Sequence, residues 1–215
     1  MRQHVNPLSK FFQLPLTLPK TFEIFKDDNL PIHLDIGSAR GKFLIELASV
    51  NSGWNHLGVE IRNALVVSAE KDRLNKGLEN LKFCFCNANI SLDEWFINLR
   101  ARQLQRVSIQ FPDPWFKRRH FKRKVLQKKF IYSLARNLPP GGELFIQSDI
   151  KDVVNLMILD IEHSLYFTRQ KVNHTIWLEE NPYHVSTERE MYALKQELPI
   201  YRALFIRNST KLIEF

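Results

Sequence analysis

The chain has 215 residues, 44% of them hydrophobic and 25% charged, a composition that excludes a disordered or fibrous protein. It carries 31 Lys and Arg against 23 Asp and Glu, a formal net charge of +8, which suggests an anionic partner without identifying it. The excess is local: residues 95–142 hold twelve basic residues and one acid, Asp113, a net of +11, and the other nineteen bases and twenty-two acids sum to −3. That distribution excludes a uniformly basic, histone-like binder.

Two cysteines, Cys84 and Cys86, exclude a disulfide scaffold and fit a reduced compartment. The first residues lack the apolar core of a signal peptide. No apolar stretch approaches the roughly 20 residues needed to cross a bilayer. A cytoplasmic protein with no membrane contact is expected.

Residues 1–30 read as an arm, irregular over its first twenty residues, with Pro7, Pro15 and Pro19. From residue 32 strands and helices alternate. Strands are predicted over 32–36, 54–61, 81–86, 107–111 and 143–147. Helices are predicted over 41–50, 62–77, 92–102, 125–137 and 152–163. Two further strands, 167–172 and 201–206, flank a short helix over 188–196. Such alternation implies an α/β fold with a mostly parallel sheet covered on both faces. Ligands in such sheets bind beyond the carboxyl ends of the strands.

Each strand end carries a candidate. After the first come Asp35-Ile36-Gly37-Ser38-Ala39-Arg40-Gly41-Lys42. Gly37 and Gly41 permit a tight turn and close approach to a ligand, or serve only as a structural turn. Ala39 and Lys42 break the dinucleotide pattern G-x-G-x-x-G. Glu60 ends the second strand where an acid can accept hydrogen bonds from a ribose diol; the alternative is a surface glutamate. Asn87 ends the third, either facing an adenine edge or closing an Asx turn. The fourth runs into Phe111-Pro112-Asp113-Pro114-Trp115, and two prolines restrict where Asp113 points. Eight Lys and Arg follow within residues 117–129. They are suited to phosphates, and the aromatic turn to an extruded base. Asp149 ends the fifth strand, where it could cap the next helix. Thr187 and Glu190 have capping-box spacing. No Cys/His cluster has metal spacing, so no metal is expected.

The Phe-Pro-Asp-Pro-Trp turn with its basic run, and Ser186-Thr187-Glu188-Arg189-Glu190, resemble the tRNA (guanine-N7-)-methyltransferase family over residues 34–215. The resemblance implies one class I methyltransferase domain over 31–215. That fold is a Rossmann-like, seven-stranded, mostly parallel sheet with helices on both faces and the last strand antiparallel. It also implies S-adenosyl-L-methionine as cofactor and tRNA as partner, methylated at N7 of guanosine 46, by a monomer or homodimer. Asp35, Gly37, Gly41, Glu60, Asn87 and Asp113 then match cofactor positions, and Asp113 the catalytic acid. Lys117, Asp149, Thr187, Glu188, Arg189 and Glu190 match substrate positions. Arg118, Arg119, Lys122, Arg123, Lys128 and Lys129 are expected at RNA phosphates. Competing readings are a class I methyltransferase acting on another RNA or a protein, and a non-catalytic RNA-binding module of this fold. A nicotinamide oxidoreductase is a third, disfavoured by the broken glycine pattern and the basic segment.

Overall fold

The structure is a computed structural model that describes residues 5–170 and 176–212, the Arg118 side chain excepted. Seven strands form one sheet: β1 (Ile32–Ile36), β2 (Asn55–Glu60), β3 (Leu81–Phe85), β4 (Leu104–Gln110), β5 (Glu143–Ser148), β6 (Phe167–Arg169) and β7 (Tyr201–Arg207). Their order is β3-β2-β1-β4-β5-β7-β6, with β7 antiparallel to β5 and β6 and the other pairings parallel. The order reverses between β1 and β4, so their carboxyl ends splay apart and leave a crevice.

The helices are α1 (Thr21–Ile24), α2 (Lys42–Val50), α3 (Asn63–Asn75), α4 (Ala88–Ile97), α5 (Lys128–Asn137), α6 (Lys151–His163) and α7 (Glu188–Lys195). Side chains alternate across the strands, and each face is covered. Ile32, Leu34 and Ile36 of β1 pack with Leu92 and Trp95 of α4, Ile131 and Leu134 of α5 and Val154 and Ile161 of α6. On the opposite face, Leu44 and Leu47 of α2 pack with Ala69 of α3, Phe83, Phe145 and Tyr183. His33 and Asp35 alternate with those β1 residues and are buried too.

Three expectations are corrected. The helix after β3 covers Ala88–Ile97, earlier than 92–102, because Asn87 caps it by accepting from the Asn89 N–H at 3.2 Å. The helix expected from 125 starts at Lys128, because the basic run before it folds as a separate 3₁₀ turn, Arg118–Arg123. The arm is not irregular throughout: it holds a 3₁₀ turn (Lys10–Gln13) and α1, and it is fastened to α4. The Leu16 N–H donates to Ser91 Oγ at 3.0 Å and Trp95 Nε1 donates to the Pro19 carbonyl at 3.1 Å. The strand expected over 167–172 is seen as Phe167–Arg169, and its far end lies outside the described residues.

Candidate active site

A cavity of about 520 Å³ occupies the crevice, within the roughly 300–1,000 Å³ of small-molecule sites. Gly37, Glu60, Arg62, Asn87, Gln110 and Asp113 stand on its wall, one or two from each of the first four strand ends. The arm closes one side with Val5, Pro7, Leu8 and Gln13.

The two glycines do different work. Gly37 has φ +82° and open space where a Cβ would stand, so its backbone faces the cavity bare. Gly41 has φ +71°, but a Cβ there would fall 2.3 Å from Phe83 Cζ. It is a packing glycine off the cavity wall. Ala39, at the middle position, takes a left-handed φ of +50° without being glycine. Its N–H donates to Glu60 Oε2 at 3.0 Å, which helps hold the turn.

Glu60 is 3% exposed. Its carboxylate accepts from Arg62 Nε at 2.9 Å and Nη2 at 3.0 Å, and from the Arg62 N–H at 3.0 Å. Glu60, and more weakly Asp113, hold the Arg62 guanidinium above its ordinary range. Asp113 therefore lies within electrostatic reach of the Glu60–Arg62 pair. Asn87, besides capping α4, donates Nδ2 to the carbonyls of Phe12 at 3.0 Å and Pro7 at 3.3 Å. It is the peg on which the arm hangs over the cavity.

Asp35 is not on the wall. It is buried, and accepts from Ser108 Oγ at 2.6 Å and from Gln110 Nε2 at 3.1 Å. Burial pushes its carboxyl up to about 6, against the opposing pull of those two hydrogen bonds. Gln110 is the side chain that carries this buried group to the cavity.

The turn after β4 starts strained, with Phe111 at φ +48° and its N–H donated to the Gln147 carbonyl at 2.8 Å. Asp113 follows between its prolines. Trp115 completes the wall, its ring edge-on to His120 at 5.6 Å and covered by the Arg123 guanidinium at 5.1 Å.

A family model described as a putative methyltransferase matches residues 29–203. A tRNA (guanine-N(7)-)-methyltransferase of Prochlorococcus marinus strain NATL1A is 55% identical over 97% of this chain and 98% of its own. That of strain MIT 9313 is 56% identical over 100% of this chain and 91% of its own. The chain belongs to the tRNA (guanine-N(7)-)-methyltransferase family. Solved methyltransferases share its fold at low identity. The precorrin-6y C5,15-methyltransferase of Geobacter metallireducens has TM-score 0.55 at 12% identity, covering 83% of this chain and 80% of that one. An rRNA methylase of Streptococcus thermophilus has TM-score 0.51 at 13%, covering 87% and 91%.

The remaining family positions divide sharply. Lys122, Arg123 and Lys129 reach the cavity mouth, with Lys129 3.7 Å from Asp93. Lys117, Arg119 and Lys128 are exposed away from it. Arg118 lies outside the described side chains. Thr187 forms the capping box with Glu190, its Oγ1 accepting from the Glu190 N–H at 3.0 Å. Glu188 is exposed, 3.7 Å from Arg40. Asp149 does not cap α6, whose N-cap is Ile150; it forms an ion pair with Arg189.

Glu190 was expected at the substrate, and the structure places it under the surface. It is 1% exposed, with Arg202 Nη2 2.7 Å from Oε1, so it faces the protein interior. Sequence reasoning missed Arg62, Gln110, Gln147 and Arg202. Arg62 could have been found as the first base beyond Glu60; the other three depend on strand register. Among the described residues no group of three or more His, Cys, Asp and Glu is placed to hold a metal, and no helix is long and apolar enough to cross a membrane.

Proposed function

We propose that this protein transfers a methyl group from S-adenosyl-L-methionine to N7 of a guanosine in tRNA, guanosine 46 of the variable loop. One domain over 31–215 does this in the cytoplasm, with the arm over 1–30 as a wall of its site. The observation that carries the reading is one cavity with Glu60 and Asp113 on its wall and Lys122, Arg123 and Lys129 at its mouth. The residues fit the cofactor. Gly37 leaves open the space a Cβ would fill, and Glu60 presents a buried carboxylate to a ribose. Asn87 closes the adenine end through the arm it holds, and Asp35 acts through Gln110 at the methionine end.

S-adenosyl-L-methionine supplies an electrophilic methyl group when bound. The guanine N7 has a free lone pair, so no side chain needs to take a proton first. Orientation is the first contribution, as Pro112, Pro114 and Trp115 restrict how a base can enter. Charge is the second: a purine methylated at N7 is cationic, and the fixed Asp113 carboxylate stabilises that charge as it develops. Asp113 also accepts from the guanine N1 and amino edge, which adenine lacks. Lys122, Lys128 and Arg119 supply phosphate contacts that position without reading sequence. Lys117, Thr187, Glu188 and Arg189 form the outer RNA contacts, with Asp149 holding Arg189.

The test is incubation with methyl-labelled S-adenosyl-L-methionine and unmodified tRNA, followed by nucleoside mapping. Label recovered as 7-methylguanosine at position 46 is expected. Label in another base, or in protein, overturns the reading.

A further inference from the structure

Among the positions expected to meet the substrate, Glu190 is the one that the fold buries, and its surroundings say what it does there. Its Oε1 accepts from Arg202 Nη2 at 2.7 Å and Nε at 3.2 Å. Its Oε2 accepts from Gln147 Nε2 at 3.0 Å and Asn181 Nδ2 at 3.1 Å. Gln147, fully buried, donates Nε2 also to Gln110 Oε1 at 2.7 Å and accepts at Oε1 from Arg202 Nε at 3.1 Å. Gln110 donates Nε2 to Asp35 Oδ1 at 3.1 Å. Gln110, Gln147 and Arg202 are direct partners across β4, β5 and β7, so the strand register places them in a row.

The two ends of an amide are told apart by what faces them. A guanidinium only donates and a carboxylate only accepts. Arg202 therefore fixes the oxygen end of Gln147, and Glu190 fixes its nitrogen end. Gln147 then presents hydrogen to Gln110, which must answer with its oxygen and turn its own nitrogen toward Asp35. The row has one direction, set by the Glu190–Arg202 pair.

We propose that Glu190 is a positioning residue: through Gln147 and Gln110 it orients the amide on the cavity wall and the hydrogen bond to Asp35, and it does not touch tRNA. Gln110 is thereby a second positioning residue of the site. The kinetic part of this proposal rests on the methyl-transfer reading; the structural part does not.

Asp35 reports on the row in the free protein. It is faced by Ser108 and Gln110 of β4, by Glu60 of β2 and by Tyr183 before α7, with His33 reached through Ser108. The Gln110 hydrogen bond favours its ionised form, so losing it raises the titration midpoint. The carboxyl carbon of Asp35 is followed by NMR against pH in aspartate-labelled protein, assigned with Asp35→Asn. Gln110→Leu shifts the midpoint upward. Glu190→Gln shifts it the same way from two side chains further along, because every partner of Glu190 donates, so the amide must aim its hydrogens at Arg202 or at Gln147, and either clash disturbs the pair that sets the direction of the row. Arg189→Gln, which breaks the ion pair on the same helix but touches none of the row, leaves the midpoint in place. An unmoved midpoint in Glu190→Gln overturns the proposal. Should that variant not fold, Gln147→Leu cuts the row at its centre and carries the same expectation and the same refutation.

In methyl transfer, Glu190→Gln lowers kcat at least tenfold and keeps KM for tRNA within twofold. A direct tRNA contact predicts the reverse split, and that result also overturns the proposal. Loss of methyl transfer in the unaltered protein would refute the proposed function and leave the titration result standing.

Discussion

The Arg62 guanidinium grips both oxygens of the buried Glu60 carboxylate, Nε 2.9 Å from Oε1 and Nη2 3.0 Å from Oε2. A ribose diol reaching Glu60 must share those oxygens with Arg62 or displace it. The pair keeps a buried charge compensated while holding the acceptor ready. Glu60→Gln keeps the shape but turns an amide hydrogen toward the guanidinium and weakens the acceptor. A hydrogen bond to a charged group contributes about 1.5–3 kcal/mol, so the cofactor Kd should rise roughly ten- to a hundredfold. Titration calorimetry with S-adenosyl-L-methionine measures it. A Kd within twofold of the unaltered protein removes Glu60 from the ribose.

Asp113→Asn separates chemistry from cofactor binding. The amide keeps the volume between Pro112 and Pro114 and loses the charge. Removing one preorganised electrostatic group costs on the order of a hundred- to a thousandfold in turnover. Single-turnover methylation should slow by that much, with cofactor Kd nearly unaltered by calorimetry. An unchanged rate removes the carboxylate from the transition state.

The alternation of strands and helices was readable because short buried runs end at a polar residue or glycine, as in Ile32–Ile36 before Gly37 and Asn55–Glu60 at its own glutamate. The same punctuation exposed Glu60, Asn87 and Asp113. What stayed hidden lies across the chain rather than along it. Gln110 faces Gln147 only through the β4–β5 register, and Asn87 meets Phe12 over 75 residues. Thr187 and Glu190 had legible capping spacing, but nothing local says that Arg202 takes the Glu190 carboxylate inward. Gly37 and Gly41 look alike in sequence, and Phe83 and Ala69 behind Gly41 tell them apart.

Those glycines give opposite outcomes. Gly41→Ala meets Phe83 and also strains a left-handed φ, which together should cost about 2–4 kcal/mol of stability. Gly37→Ala has room for its methyl and suffers only the backbone strain, about 1–2 kcal/mol. That methyl projects into the space the cofactor needs, so its cofactor Kd should rise about tenfold or more. Urea unfolding and calorimetry on both variants check the pair. Equal effects on stability would show that Phe83 moves freely aside.

The basic run should act on RNA through phosphates. Lys122 and Lys128 are both replaced by alanine. The slope of log K against log salt for tRNA binding should fall by about 0.7–0.9 for each phosphate that is no longer neutralised. Of the two, Lys122 borders the cavity and Lys128 does not, so cofactor affinity should change far less than the salt slope. Filter binding across a salt series measures the slope. A slope unaltered in the double variant shows that this face does not meet RNA.

Acid stability is set by buried groups of opposite sign. Burial lowers His56 from 6.5 to about 4 and His33 well below 6.5, so both stay neutral inside. Their stabilisation is full above pH 6.5 and is lost as the pH falls, because only the unfolded chain gains those protons. Asp35 runs the other way. Raised from 3.8 to about 6, it holds a proton that the unfolded chain has released, so its contribution is full below about pH 4 and is lost as the pH rises through 6. Between about pH 4.5 and 6 two histidines oppose one carboxyl, a net of one proton. Unfolding free energy should therefore fall on acidification across that window. His56→Leu removes one histidine from the balance and should leave stability nearly flat there. Urea melts at half-unit steps measure both slopes. Coincident slopes would mean that His56 binds its proton equally well folded and unfolded.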